Sequence, residues 1–438
     1  MLDSFYGHVA VIPAADAHNR ARHVRGSLLG CALALACMVA FTAAPAGAEG
    51  LGGLQSDFTH ELGLGGAQDG AYVYDMTTHQ VLFSERASTP RPPASVEKLY
   101  TATTALDRMG AGARLDTTVY GTGGLEPDGT WQGNLYLRGG GDPTFGSSAF
   151  IARHYGGLGA SVSTLVDQLV HTDGIHRISG SVLGDESWFD SLRGEPSSDY
   201  APDPFLEGTL SGLAFNRGES GRERGPHAPA AYAARQLSTA LRGAGVSIAG
   251  ASGTATTPAD AHQLARVYSP TVAQLLGLML PPSDNFFAET LVKDLGALYG
   301  GAGTTAAGAA VVRATAASLL GLHPQVVDGS GLSASDRTSP YEVADLLVAL
   351  APTAIGQVLR GDLAVAGRSG TLSERMRNTG AAGRCQGKTG TLTGVSNLVG
   401  YCDAADGHTL AFAIFTDGIA IEPAHTLQDN MAITVADY

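Results

Sequence analysis

The sequence predicts an α/β protein in which helices flank an antiparallel sheet and a β-rich segment interrupts the chain. Residues 71–87 form two apolar, aromatic runs around a Thr-Thr-His turn, which indicates two strands. Residues 95–110 follow with a helical pattern, and from about 115 to 265 short strand-like runs alternate with Gly, Asp and Pro turns. Helical sequence resumes at Thr271, and strand-like runs return from about 385 to 416.

This change of texture predicts the domain organisation. We expect a main domain built from residues 49–114 and 266–438, and an inserted β-rich domain from residues 115–265. The chain has 438 residues, of which 44% are hydrophobic, so it can bury a core of the size that two domains require.

Residues 1–48 have the pattern of a secretory signal. Three arginines precede the apolar run SLLGCALALACMVAFTAAP, and the small residues AGA follow it at 46–48. We expect cleavage after Ala48 and a mature protein outside the cytoplasm, in the periplasm or cell-wall space. An uncleaved membrane anchor is the alternative, because the apolar run is nearly long enough to span a bilayer.

The charge balance excludes two classes of partner. The chain carries 27 basic and 41 acidic residues, a net charge of −14. Removal of residues 1–48 takes away three arginines and two aspartates, which leaves 24 basic and 39 acidic residues, a net charge of −15. Such a surface disfavours nucleic acids and anionic membranes.

Two cysteines, Cys385 and Cys402, remain after residue 48. Strand-like runs lie between them, around a turn near Thr393 and Gly394. The midpoint of 385 and 402 falls at this turn, so a hairpin would place the cysteines opposite each other. We predict a disulfide worth about 3 kcal/mol, with two free buried thiols as the alternative.

The first candidate for chemistry is the pair Ser95 and Lys98, just after a double proline. The chain has only three lysines against 24 arginines, so a lysine at this position suggests a role that arginine cannot fill. Positions i and i+3 share a helix face, and an amine beside a serine can act as its general base. Arginine could not replace it, because a guanidinium does not lose its proton in proteins. An N-capping serine with a solvated lysine is the alternative.

Two further short motifs add candidates. Ser283, Asp284 and Asn285 precede a helix, where the hydroxyl could relay a proton and the amide could bind a peptide bond. On its own, this triplet is also an ordinary helix start. The segment from Lys388 to Thr391, Lys-Thr-Gly-Thr, places a cation and hydroxyls along a strand edge, and Gly390 would let a ligand approach the backbone.

In this order, S-x-x-K, S-D-N and K-T-G are the signature of β-lactamases and penicillin-binding proteins. Ser95 and Ser283 lie 188 residues apart, and no Glu-x-x-Leu-Asn follows Asn285, unlike class A β-lactamases. The chain resembles the D-alanyl-D-alanine carboxypeptidase/endopeptidase family, the class C low-molecular-mass penicillin-binding proteins of the type-4 kind, which carry a long insertion there. The segments GNLYLRGGGDPTF, GIHRISGSVLGDESWFD, LAFNR, DGSGLS and GTL extend the resemblance over nearly all of residues 70–420.

The resemblance implies a serine β-lactamase/transpeptidase-like fold and a mechanism. Ser95 attacks the carbonyl before a terminal D-alanine, Lys98 takes its proton and Ser283 relays a proton to the leaving amine. Asn285 holds the substrate amide, and Lys388 with Thr389 faces the terminal carboxylate. The N–H groups of Ser95 and Thr391 hold the oxyanion, beside Gly390. The implied partners are peptidoglycan peptides ending in D-Ala-D-Ala and β-lactam antibiotics.

The chain departs from the family pattern at two places. The family often nests a third small domain after the segment that matches LAFNR, but here only GESGRERGPHAP follows. The family usually has Arg directly after DGSGLS, where this chain has Ala334, so the substrate's side-chain specificity is open. A β-lactamase or esterase on the same scaffold, and a wall-binding or penicillin-sensing protein without turnover, remain alternatives.

The other polar candidates have structural explanations. We expect Asp142 to cap a turn, residues 328–333 to shape a loop beside the site and Lys293 to be a structural charge. The histidines are scattered and form no HExxH or Cys/His cluster, so we predict no metal and no cofactor.

Overall fold

The centre of the computed structural model is a six-stranded sheet, which is antiparallel throughout. The structure describes residues 50–218 and 228–438. The predicted signal segment, residues 1–48, and most of the short bridge after LAFNR, residues 219–227, lie outside this range. The strands are β1 Gly70–Asp75, β2 Gln80–Glu85, β3 Asp116–Gly121, β4 Gly124–Leu125, β5 Thr130–Gln132, β6 Leu135–Gly139, β7 Arg177–Ile178, β8 Val182–Asp185, β9 Ser247–Ile248, β10 Gly253–Thr254, β11 His262–Tyr268, β12 Ala364–Val365, β13 Cys385–Leu392, β14 Val395–Asp403 and β15 Thr409–Asp417.

Helices cover both faces of this sheet, and others belong to the segment between α2 and α6. The helices of the described residues are α1 Leu51–Leu64, α2 Lys98–Arg108, α3 Ser148–Tyr155, α4 Val162–Asp167, α5 Pro229–Gly243, α6 Val272–Met279, α7 Asn285–Tyr299, α8 Thr305–Leu320, α9 Pro340–Leu350, α10 Ala354–Gly361 and α11 Ile421–Asp437. A short 3₁₀ helix, Ala94–Glu97, leads into α2.

The sheet, in the order β12-β13-β14-β15-β1-β2, separates two apolar cores. Successive residues of a strand point to opposite faces. Thus Phe412 belongs to the core that includes residues of α1 and α11, whereas Ala413 belongs to the core that includes residues of α2, α7 and α9. This layered arrangement confirms the predicted fold class, an antiparallel sheet with helices on both sides.

The segment between α2 and α6 has a core of its own. Its strands form a five-stranded sheet, β10-β8-β6-β3-β11, and a four-stranded sheet, β4-β5-β7-β9. It also contains α3 and α4, which the strand-like texture did not predict; each starts at a serine, Ser147 or Ser161, that caps the helix N-terminus. The described residues pack as one unit, so the domain boundaries at 115 and 265 stay a prediction.

The hairpin of β13 and β14 turns at Thr393 and Gly394 and pairs Cys385 with Cys402. The two cysteines form a disulfide, with Cα atoms 4.1 Å apart. The two-residue turn makes Leu392 and Val395 a hydrogen-bonded pair, and hydrogen-bonded and non-hydrogen-bonded pairs alternate along the hairpin. Cys385 and Cys402 therefore form a non-hydrogen-bonded pair, the kind in which the two Cα atoms lie closer together.

In the described residues no single helix is long and apolar enough to cross a bilayer; α9 and α10 meet the criterion only as a sharply bent pair.

Candidate active site

Ser95 lies in the first turn of the 3₁₀ helix that precedes α2. The residue before it, Ala94, has a φ of 48°, a left-handed conformation that costs a non-glycine residue about 1–3 kcal/mol. This turn places Ser95 where helical N–H groups have no partner within the helix, so its N–H is available to an oxyanion. The Ser95 side chain is partly exposed at this point.

Lys98 is completely buried under Ser95. Its Nζ lies 2.9 Å from Oγ of Ser95, 2.6 Å from Oδ1 of Asn285 and 2.7 Å from the carbonyl oxygen of Ser330. The oxygens of Asn285 and Ser330 can only accept hydrogen bonds. When Lys98 is neutral, its two N–H bonds therefore go to these two oxygens, and its lone pair is left for the Ser95 hydroxyl.

The pKa of Lys98 lies closer to neutral pH than that of an exposed lysine. Burial lowers the pKa of Lys98 from 10.5 to about 8, although the nearby carboxyl groups of Asp328 and Glu289 act in the opposite direction. A general base works best when its pKa lies close to the working pH.

The second predicted motif stands at the start of α7. Asp284 caps this helix, since its Oδ1 accepts from the N–H of Phe287 at 3.0 Å. Ser283 has a φ of 67°, so the backbone is left-handed at a second candidate serine. Asn285 donates from Nδ2 to the carbonyl oxygen of Phe205 at 2.8 Å, so its amide is engaged by the chain at both ends.

Arg217 fixes this motif from outside the main sheet. Its two terminal nitrogens donate to the two carboxylate oxygens of Asp284 at 2.7 and 2.8 Å. Its Nε donates to the carbonyl oxygen of Glu207, and the guanidinium lies 5.0 Å from the ring centre of Phe286. Such a bidentate pair sets the position and the angle of the carboxylate.

Lys388, on β13, faces Ser283. Its Nζ donates to Oγ of Ser283 and to the carbonyl oxygen of Thr389, both at 2.8 Å. The side chain is 1% exposed, and burial, reinforced by the positive charge of Lys98, lowers the pKa of Lys388 well below its usual value. The hydroxyl groups of Thr389 and Thr371 lie 2.8 Å apart.

Thr391 lies at an open edge of the sheet. β12 pairs with β13 only at Gln386 and Gly387, so the edge beyond Gly387 has no strand beside it among the described residues. Thr391 pairs with Ser396 in a non-hydrogen-bonded position, by the alternation that starts at Leu392. Its N–H therefore points away from β14, toward the open edge.

Gly390 makes room for the protein's own backbone. A Cβ atom at this position would lie 2.4 Å from the carbonyl oxygen of Pro93 and 3.2 Å from the N atom of Val96. We expected glycine here to admit a ligand; the structure instead shows β13 packed directly on the turn that carries Ser95. This contact brings the strand edge and the nucleophile together.

A group of carboxyl groups is buried behind Lys98. The four residues, each fully buried, are Glu97, Glu289, Asp328 and Asp336. Burial raises the pKa of each, to about 8 for Glu289 and about 10 for Asp336. Asp328 accepts from the N–H groups of Gly331 and Ser333, which confirms that residues 328–333 shape a loop beside the site.

The remaining candidates lie away from Ser95. Asp142 accepts from the N–H and hydroxyl of Thr144, which confirms the turn cap. Lys293 donates to Asp190 at 2.5 Å, as expected of a structural charge. Ala334, where the family usually has Arg, is exposed. In the described part of the chain, no group of three or more His, Cys, Asp or Glu residues could hold a metal ion.

Fold and site together define a class: a serine enzyme of the penicillin-binding type, with a buried lysine beside Ser95 and a second Ser–Lys pair. The family model described as D-Ala-D-Ala carboxypeptidase 3 (S13) matches residues 55–203 and 209–438. The chain therefore belongs to this family of serine carboxypeptidases.

Similar proteins agree with the family. A D-alanyl-D-alanine carboxypeptidase of Actinomadura sp. (strain R39) is 30% identical over 86% of this chain and 82% of its own length. A carboxypeptidase of Mycobacterium tuberculosis is 31% identical over 79% of this chain and 75% of its own. Penicillin-binding protein 4 of Haemophilus influenzae has the same fold, with a TM-score of 0.72 at 21% identity over 86% of this chain and 97% of that chain.

Proposed function

We propose that this carboxypeptidase removes the terminal D-alanine from peptidoglycan stem peptides that end in D-Ala-D-Ala, through an acyl-enzyme at Ser95. The observation that carries this proposal is the buried Lys98, whose Nζ lies 2.9 Å from Oγ of Ser95 with its other acceptors fixed.

In the acylation step, Oγ of Ser95 attacks the carbonyl carbon of the penultimate D-alanine while its proton passes to Nζ of Lys98. The N–H groups of Ser95 and Thr391 stabilise the oxyanion. The peptide C–N bond then breaks, and the leaving amine takes a proton from the hydroxyl of Ser283. Lys388 resupplies Ser283, with which it is in hydrogen-bond contact. Water hydrolyses the ester by the reverse path.

We assign substrate binding to two places. The second N–H of the Asn285 amide is available to a substrate carbonyl, since one of its N–H bonds goes to Phe205. The terminal carboxylate of the substrate meets the hydroxyls of Thr389 and Thr371, with the charge of Lys388 behind them. Thr371 belongs to the GTL segment, and it completes the set that the sequence predicted.

β-Lactams are proposed as inhibitors that acylate the same serine. The Haemophilus influenzae protein has also been solved with a β-lactam, at a TM-score of 0.65 to this chain. We further propose that the enzyme acts outside the cytoplasm, because residues 1–48 have a secretory pattern and the substrate is part of the cell wall. The Cys385–Cys402 disulfide supports an oxidising compartment.

The test is covalent labelling of residues 49–438 with excess benzylpenicillin, followed by intact mass and peptide mapping. We expect a lasting adduct on the Ser95 peptide, D-alanine release from a peptide ending in D-Ala-D-Ala, and neither in Ser95→Ala. Ser283→Ala is the matched serine control and should still form the adduct on Ser95, more slowly. Drug consumption without a lasting adduct would favour a β-lactamase, and unchanged peptide cleavage by Ser95→Ala would refute the assignment.

A further inference from the structure

The orientation of Lys98 depends on a loop carbonyl that a second side chain holds in place. The carbonyl oxygen of Ser330 accepts from Nζ of Lys98 at 2.7 Å. The loop that carries this carbonyl is fastened by Glu289, whose Oε1 accepts from the N–H groups of Gly329 and Ser330 at 2.9 and 2.8 Å. Glu289 is completely buried.

Both fixed acceptors of Lys98 therefore depend on α7. Asn285 and Glu289 are four residues apart on this helix, so their side chains share one face. Asn285 accepts from Lys98 with its own Oδ1. Glu289 acts indirectly, because it holds the loop whose Ser330 carbonyl oxygen accepts from Lys98. If the loop shifted, Lys98 would lose one of the two acceptors that direct its lone pair.

We propose that Glu289 is a positioning residue for acylation, which holds the Ser330 carbonyl so that the lone pair of Lys98 points at the Ser95 hydroxyl. This inference rests on the proposed function, in which Lys98 is the base. Glu289 contacts neither Ser95 nor the open strand edge; it acts through the loop.

Burial, and not hydrogen bonding, favours a neutral carboxyl group at Glu289, because the N–H groups from which it accepts stabilise the ionised form. Oε1 receives both N–H bonds, while Oε2 is buried and has no hydrogen-bond partner among the described residues. Burial, together with the charge of Asp328, raises the pKa of Glu289 to about 8. The ionisable groups that act on it or on which it acts are Lys98, Asp328, Asp336, Glu97 and Lys293. A carboxamide would keep the acceptor and the neutral charge.

Three substitutions separate these properties. Glu289→Gln keeps the acceptor and the reach, Glu289→Asp keeps the acid but shortens the reach, and Glu289→Leu loses both. Asp294→Leu is the matched control, because Asp294 is another fully buried carboxyl of α7 that accepts from the indole of Trp188 instead of the loop. The rate of acylation by benzylpenicillin and its binding constant are measured separately at pH 7.

We expect Glu289→Gln and Asp294→Leu to acylate within threefold of the wild-type rate. Glu289→Asp and Glu289→Leu should acylate at least tenfold more slowly with unchanged binding, because the loss falls on the base and not on the ligand site. A second readout is the pH dependence. The wild-type rate rises as Lys98 loses its proton, and Glu289 ionises over the same pH range, where its negative charge opposes that loss. Glu289→Gln cannot ionise, so its rise should be complete at lower pH.

The possible outcomes distinguish the inference from the function beneath it. Equal acylation rates in the Gln and Asp variants, or a loss confined to binding, would overturn the role of Glu289 while leaving Ser95 as nucleophile. If the wild-type enzyme formed no adduct on Ser95, the proposed function itself would fail. If Glu289→Leu does not fold, the acylation rates of Glu289→Gln and Glu289→Asp still test the positioning role of Glu289.

Discussion

The rate of acylation should rise with pH as Lys98 loses its proton. With a pKa of about 8 for Lys98, about a tenth of the enzyme has the neutral base at pH 7 and about nine tenths at pH 9. Between these values the acylation rate constant should increase nearly tenfold and then level off. The structural cause is the burial of Lys98, which disfavours its charged form.

The assay is the time course of the Ser95 adduct with benzylpenicillin at subsaturating drug, by intact mass, at half-unit steps from pH 6 to 9.5. Lys98→Arg cannot supply a neutral base and should be at least a hundredfold slower at every pH. A rate that is flat, or that falls with pH, would refute the role of Lys98.

Lys388 needs its own control, because burial lowers its pKa as well. Lys388→Arg places there a positive charge that, unlike that of Lys388, is not lost in this pH range. If Lys98 is the titrating base, the rise persists in this variant and moves to lower pH, since a fixed positive charge nearby disfavours the protonated amine. Loss of the rise in Lys388→Arg would assign the titration to Lys388 instead.

Three further predictions concern stability. Arg217→Met leaves Asp284 without its ion-pair partner and should lower the free energy of unfolding, measured by urea denaturation, by about 3 kcal/mol. Adding Asp284→Asn should recover part of this loss. If the losses of the two substitutions simply added, the two side chains would not be energetically coupled. Gly390→Ala places a methyl group 2.4 Å from the Pro93 carbonyl oxygen, so it should lower the free energy of unfolding by about 2 kcal/mol and slow acylation. Wild-type values in both assays would show that the turn can move to make room for the methyl group. Glu289 has a raised folded-state pKa, so the stability that it contributes is complete below about pH 4.5 and is lost as pH rises to about 8. The melting temperature should therefore fall less over this window in Glu289→Gln, and an equal fall in both proteins would exclude Glu289 as a source.

The parts of the site that sequence could predict are those encoded within a few residues. Ser95 and Lys98 are one turn apart, and the hairpin places its two cysteines by counting from the turn. Such local rules need no knowledge of the rest of the fold. They located the Ser95–Lys98 contact and the disulfide pair without the tertiary structure.

The missed partners come from contacts between distant segments. Ser330 lies 232 residues from Lys98, and Phe205 lies 80 residues from Asn285. Each offers a backbone carbonyl, which has no side-chain signal in a sequence. Arg217 was visible as part of LAFNR, but nothing local pointed to Asp284. The contact of Gly390 with Pro93 was missed for the same reason, because that turn lies almost 300 residues earlier in the chain.

The inserted segment is part of the site, because it holds one side of α7. The carbonyl oxygen of Phe205 accepts from the Asn285 amide, and Arg217 donates to the Asp284 carboxylate. Two turns further along α7, Lys293 donates to Asp190. The main domain holds the other side through the loop that Glu289 fastens. All three lysines of the chain are buried at contacts that involve α7 or the motif before it: Lys98 donates to Asn285, Lys388 to Ser283, and Lys293, on α7, to Asp190. An enzyme that lacks residues 115–265 would leave Asp284 without Arg217 and the Asn285 amide without the Phe205 acceptor, so it should lose acylation even if the main sheet folded.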